Sequence, residues 1–150
     1  TMVTLQPRPI EAIDTAEAEL QTRTTNWEDA QAAGADATTL RLLKTYVEGA
    51  WVNLEFAKSM AGIQQLELPI TIFRFAGLEF ATIPGELFST LQPEGLSIIA
   101  YTNGYFRYIC PEEAYVANHY EAMAAIVARG SGEQLINEIQ QLRCQLQNTQ

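Results

Sequence analysis

The residues of this chain best placed to do chemistry lie between positions 83 and 108. Pro84-Gly85 ends an apolar run over residues 78–83 that reads as a buried strand. Glu86 follows directly, at a strand exit, where α/β proteins commonly place reacting groups. A second apolar run over residues 96–102 is broken by Asn103-Gly104, after which come Tyr105, Phe106 and Tyr108. A carboxylate just past one strand and a phenol just past the next can converge on one ligand. The same residues also have an ordinary reading. Pro-Gly and Asn-Gly are turn signals, and tyrosines at such spacing commonly half-bury in a core.

Little else in the sequence is catalytic by type. The single histidine, His119, is the only one a Ser-His-Asp arrangement within this chain could use, and no Gly-x-Ser-x-Gly elbow supplies its serine. Walker and Gly-x-Gly-x-x-Gly patterns are absent from the sequence. A zinc centre takes three or four protein ligands. Glu86, His119 and a tyrosine follow no spacing rule for such a set, so the chain alone lacks a complete catalytic group.

Positioning Glu86 and Tyr108 falls to a chain of 150 residues, long enough for one domain that buries roughly 70% of its unfolded surface. Hydrophobic content of 47% with 18% charged residues fits a globular protein. The net charge of −9 argues against nucleic acid and anionic membranes as partners, since neither would be neutralised. Cys110 and Cys144 are too few and too far apart for a disulfide framework or a zinc cluster. No apolar run reaches the ~18–20 residues of a membrane span, and no signal peptide is legible, so the compartment stays open. The Thr-Met-Val opening suggests a piece of something longer.

Pro9, Glu11 and Asp14 predict a helix over 9–33, with Ile10, Ile13, Ala16, Leu20 and Trp27 on one face. Gly34 closes it and Asp36 caps the next. Leu40, Leu43, Val47, Ala50, Leu54, Ala57 and Ala61 then trace a narrow seam over 37–62. The two helices should pair antiparallel through Leu20, Trp27, Leu43, Val47 and Leu54, with Trp51 and Phe56 beside the seam as anchors. The seam could instead serve a partner. Period-two alternation over 66–73 predicts a strand that Pro69 places at an edge or makes irregular at its start, turning at 75–77 into the strand 78–83. Residues 86–95 leave room for one helical turn. Residues 96–102 read as a strand buried on both faces, residues 111–115 as a short helix, and 120–128 as ambiguous. Ser131 is expected to cap a last helix faced by Leu135, Ile139, Leu142 and Leu146. The expectation is therefore an α/β chain (α+β as alternative): an antiparallel helical hairpin over 9–62, then an α/β part over 65–150 with a small mixed sheet and a C-terminal helix, all one domain.

Four short motifs stand in order: Ile-Pro-Gly-Glu-Leu-Phe at 83–88, Thr-Asn-Gly-Tyr-Phe-Arg-Tyr at 102–108, Pro-Glu-Glu-Ala-Tyr at 111–115 and His-Tyr-Glu-Ala at 119–122. Ser131-Gly132-Glu133 then leads into the closing helix. The series resembles the C-terminal part of the catalytic domain of the neutral/alkaline non-lysosomal ceramidase family, most strongly over about residues 75–142. Members of that family hydrolyse the amide of ceramide at a single zinc, giving sphingosine and a fatty acid. The resemblance implies that Glu86 and Tyr108 are zinc ligands and that the histidines completing the site lie outside this chain. Tyr105, Phe106 and Tyr115 would then form apolar walls for a lipid amide substrate. The implied partner is the N-terminal part of the same catalytic domain, and the isolated chain should be inactive. The segment 86–96 is shorter than the family's usual helix there. Two other readings stand beside this one: a hydrolase of another amide or ester, and a non-catalytic folding or oligomerisation module.

Overall fold

Asp36 shows how a local signal becomes structure. Its carboxylate accepts the backbone N–H groups of Thr38 and Thr39 at 2.9 and 3.1 Å and the Thr39 hydroxyl at 2.7 Å. Otherwise unpaired donors of a helix start are thereby satisfied. The computed structural model describes residues 1–117 and 119–148. Two compact units make it up: Pro9–Ile63, and Thr1–Arg8 together with Gln64–Gln150.

The first unit is the helical hairpin, α1 (Ile13–Ala32) and α2 (Ala37–Met60). Gly34, at φ +73°, makes the left-handed turn out of α1. The expected start at Pro9 is four residues early, because Ala12 is still extended and offers no side-chain cap. Ala16, Leu54 and Ala57 form a buried cluster packed by Ile10, Ile13 and Leu20, so the start of α1 lies against the end of α2. Toward the connecting loop Trp27, Leu40, Leu43 and Val47 are only half-buried. Lys44 Nζ sits 4.8 Å from the Trp27 ring centroid there. Phe56 is buried as expected, but Trp51 is 55% exposed.

In the second unit β1 (Met2–Leu5) pairs antiparallel with β2 (Leu66–Pro69), and Val3, Leu5, Leu66 and Leu68 are buried. β3 (Thr71–Phe75) belongs to another sheet, so residues 66–73 are not one strand. Pro69, which has no N–H to donate, lies on an edge strand of this two-stranded sheet. Ile70 still bonds Thr1, its N–H donating to the Thr1 carbonyl at 2.8 Å, and the chain changes sheets after buried Ile70. β3 forms the expected hairpin with β4 (Leu78–Thr82). Ala76 and Gly77 at φ +50° and +80° make its two-residue turn. Leu78 is exposed and only Ala81 and Thr82 of β4 are buried, which corrects the expectation of a buried strand.

The short pair β5 (Glu86–Leu87) precedes a single 3₁₀ turn at Ser89–Leu91, in line with the room expected there. β6 (Ser97–Ile99) runs parallel to β4 at the edge of the three-stranded sheet. It is shorter than the expected 96–102, and with Ile98 half-buried and Ile99 40% exposed it is not buried on both faces. β7 (Tyr108–Ile109) pairs parallel with β5. Then come α3 (Glu112–Val116), α4 (Tyr120–Ala124) and α5 (Ser131–Asn148).

Leu135 and Ile139 of α5 are fully buried and Leu142 half-buried, while Leu146 is largely exposed. Ser131 is itself the first helical residue and buried, so it opens α5 from inside the helix. Arg143 clamps α5 to the sheet by bonding Glu79 at 2.6 Å and the carbonyls of Glu94 and Gly95 at 3.0 Å each. The architecture is α/β, with helical hairpin, small mixed sheets and C-terminal helix as the sequence indicates. No helix among the described residues is long and apolar enough to cross a membrane.

Candidate functional site

Pro84-Gly85-Glu86 and the segment leading from β6 to β7 are laced together through the backbone. Ile83 N–H donates to the Ile99 carbonyl at 3.0 Å, and Thr102 N–H returns to Ile83 at 2.9 Å. Phe106 N–H donates to Pro84 at 2.6 Å, Glu86 N–H to Arg107 at 2.7 Å and Phe88 N–H to Ile109 at 2.9 Å. Gly85 is required for the fit: a Cβ there would stand 2.8 Å from the Arg107 oxygen and 3.1 Å from the Ile109 side chain. Gly104 is similarly wedged, with Pro84 and Phe106 within 3.3 Å of where its Cβ would be.

The result is one register pair, Glu86 opposite Tyr108 on parallel strands. Register partners in a sheet point to the same face. The two motif residues of the sequence therefore share a face, Glu86 exposed and Tyr108 half-buried.

Backbone strain concentrates in the same loop. Tyr101, Asn103 and Arg107 have φ of +56°, +61° and +54°. Asparagine tolerates this region, whereas tyrosine and arginine lose about 1–2 kcal/mol each there. Such strain collects at functional sites. The phenol of Tyr101 donates to Oε2 of Glu86, and its ring stacks on Tyr105 at 5.8 Å and 19°. Tyr108 meets Tyr120 edge-on at 6.2 Å.

The named charges acting on the Tyr108 phenol are of one sign. Burial raises the Tyr108 phenol above the usual tyrosine range, and Glu86, Tyr120, Tyr105 and Glu121 raise it further. Tyr101 is pushed up to about 12, first by its hydrogen bond to Glu86. Cys110, buried behind β7, is pushed up to about 11 by burial and then by Glu121 and Glu86. Neither Glu86 nor Glu121 has an ion-pair partner among the described residues. The phenols of Tyr101, Tyr105, Tyr108 and Tyr120 and the carboxylates of Glu86 and Glu121 thus act on one another in this region.

The other expected residues divide. Tyr105, 70% exposed, joins the cluster through Tyr101. Phe106 is half-buried on Gly104. Tyr115 packs against Cys110, Ala114 and Ala122, and its phenol donates to the Val127 carbonyl at 2.8 Å, so core packing accounts for it. His119 is exposed, its ring 6.0 Å from Phe88. Tyr120 and Glu121 lie inside a quoted motif but are not singled out by the sequence. Tyr101 falls within the apolar run 96–102 and reads there as a half-buried core tyrosine, whereas it is exposed.

Among the described residues no three His, Cys, Asp or Glu side chains converge to hold a metal ion. A cleft of about 750 Å³ lies elsewhere, lined by Arg74, Glu79, Gln92, Leu96 and Arg143 among others. Its charged groups are engaged with one another: Arg74 and Arg143 each bond Glu79 at 2.6 Å and lower its carboxyl to about 2. That arrangement suits a clamp better than a ligand site. The chain matches no protein-family model, no curated protein and no solved structure.

Proposed function

We propose that the chain is the C-terminal portion of a zinc-dependent amide hydrolase resembling neutral ceramidase, to which it contributes Glu86 and Tyr108 as two metal ligands. The register pairing of these residues is the observation that carries the reading. A carboxylate and a phenol on one face, with Glu86 in no ion pair among the described residues, fit a divalent cation in donor type and in charge. Two ligands fall short of the three or four of a zinc centre, so histidines from outside this chain complete it. Bound there, zinc would supply Lewis acidity, lowering the pKa of a water and polarising an amide carbonyl.

The chain's own residues have separable parts in this. Glu86 brings the negative charge. Burial first, and then Glu86 and its neighbours, hold the proton on Tyr108, and a cation beside it would oppose that effect. The exposed rings of Tyr105 and Tyr101 offer apolar surface beside the pair, suited to a lipid amide, with amides or esters of other kinds as alternatives.

Cobalt(II) titration of the full chain, followed by NMR, tests the reading. Weak binding that perturbs the Tyr108 resonances and disappears in Glu86→Gln and in Tyr108→Phe is expected. Tight binding lost on His119→Ala, or binding indifferent to both substitutions, would replace this ligand set with another.

A second reading, an assembly module built on the hairpin, has its own observation. Leu42, Tyr46 and Trp51 of α2 are 52%, 46% and 55% exposed. Sedimentation over a range of concentrations decides it: a dimer weakened by Trp51→Glu favours assembly, and a monomer throughout removes it.

A further inference from the structure

Tyr101 is held at three points. Its N–H donates to the Gly85 carbonyl at 3.3 Å, its ring lies on Tyr105, and its hydroxyl donates to Oε2 of Glu86. It takes up a left-handed backbone to do so, which a tyrosine adopts only where its surroundings impose it. The carboxylate it holds is exposed and has no ion-pair partner among the described residues, so the phenol is the side-chain contact that fixes its orientation.

We infer that Tyr101 is a positioning residue: by engaging Oε2 it fixes the Glu86 carboxylate and leaves Oε1 as the oxygen available, beside Tyr108, to a metal cation. The inference rests on the metal-binding reading of Glu86 and Tyr108. Carboxylate ligands are commonly oriented by a hydrogen bond to the oxygen the metal does not use, and losing such a partner lowers metal affinity ~10- to 100-fold. Tyr101 reaches Glu86 from the β6 side and Tyr108 from the β7 side, so the carboxylate is flanked by one phenol that orients it and one that shares its ligand.

The substitution Tyr101→Phe removes only the hydroxyl and keeps the ring that stacks on Tyr105. Two measurements on the full chain are needed. In the metal-free chain at neutral pH, the ζ-carbon resonance of Tyr101 should move on Glu86→Gln while that of Tyr46, in the hairpin, stays. In cobalt(II) titrations, Tyr101→Phe should weaken binding ~10-fold or more while the urea midpoint changes little.

A ζ-carbon resonance indifferent to Glu86→Gln removes the contact and overturns the inference. Cobalt affinity equal to wild type in Tyr101→Phe also overturns it, leaving the Glu86–Tyr108 ligand pair intact. If wild type binds no cobalt, the ligand reading fails and the inference falls with it, even with the ζ-carbon response present. That response then tells the two failures apart.

Discussion

The carbonyl oxygen of Arg107 stands 2.8 Å from the point where Gly85 would carry a Cβ, and it also accepts the N–H of Glu86. Gly85→Ala therefore strikes an atom that cannot retreat without breaking the bond that aligns β5 with β7. A cost of ~1–3 kcal/mol, the range for overpacking, is expected in urea denaturation. The Glu86 and Tyr108 resonances should move more than those of the hairpin.

In the hairpin the difference between its two ends gives a graded expectation. Leu54→Ala, in the sealed cluster with Ala16 and Ala57, should cost ~2–5 kcal/mol. Leu43→Ala, half-buried near the loop, should cost clearly less. Equal costs measured by denaturation would mean that the seam is uniform along its length.

Acid should loosen the Arg143 clamp. The Glu79 carboxyl, lowered from 4.5 to about 2 by Arg74 and Arg143, is depressed in the folded state. Its contribution is complete above about 4.5 and is lost as pH falls from there toward 2. Arg143→Ala should flatten the stability profile in that window, read from urea midpoints at each pH.

The two thiols should separate by reactivity. Cys110 is buried and its thiol is pushed up to about 11, whereas Cys144 is exposed. A disulfide reagent at neutral pH should modify one thiol quickly, and Cys144→Ser should abolish that phase. Rapid modification of Cys110 in the folded chain would show that its cluster with Ala114 and Ala122 opens.

What could be read in advance follows the range of the interactions. The Asp36 cap, the Gly34 exit and the β3–β4 turn depend on neighbours within a few residues, and sequence was enough for each. The convergence of Glu86 and Tyr108 is legible from their places after two apolar runs and from the resemblance, but their register pairing is not, since two-residue strands carry no periodicity of their own. Nothing local marks Tyr101 as left-handed, because tyrosine has no turn chemistry; the conformation is imposed by Gly85 and Glu86 across the loop. Pro69 signals an edge position, which the two-stranded β1–β2 sheet gives it, but nothing local shows that the chain changes sheets after Ile70.

The pairing of Leu5 with Leu66 has a consequence for how the chain can be cut. Register partners lie about 4.5–5.5 Å apart, so the chain leaves the second unit and re-enters it at adjacent points. The helical hairpin is thus an excursion with joined ends, topologically an insert. Excising Pro9–Ile63 and bridging the gap with a few glycines would shorten the loop that β1 and β2 must close, and chain entropy favours the shorter loop. A minimal chain carrying Glu86, Tyr101 and Tyr108 can be made that way, with the hairpin left as a separate module to be grafted or exchanged.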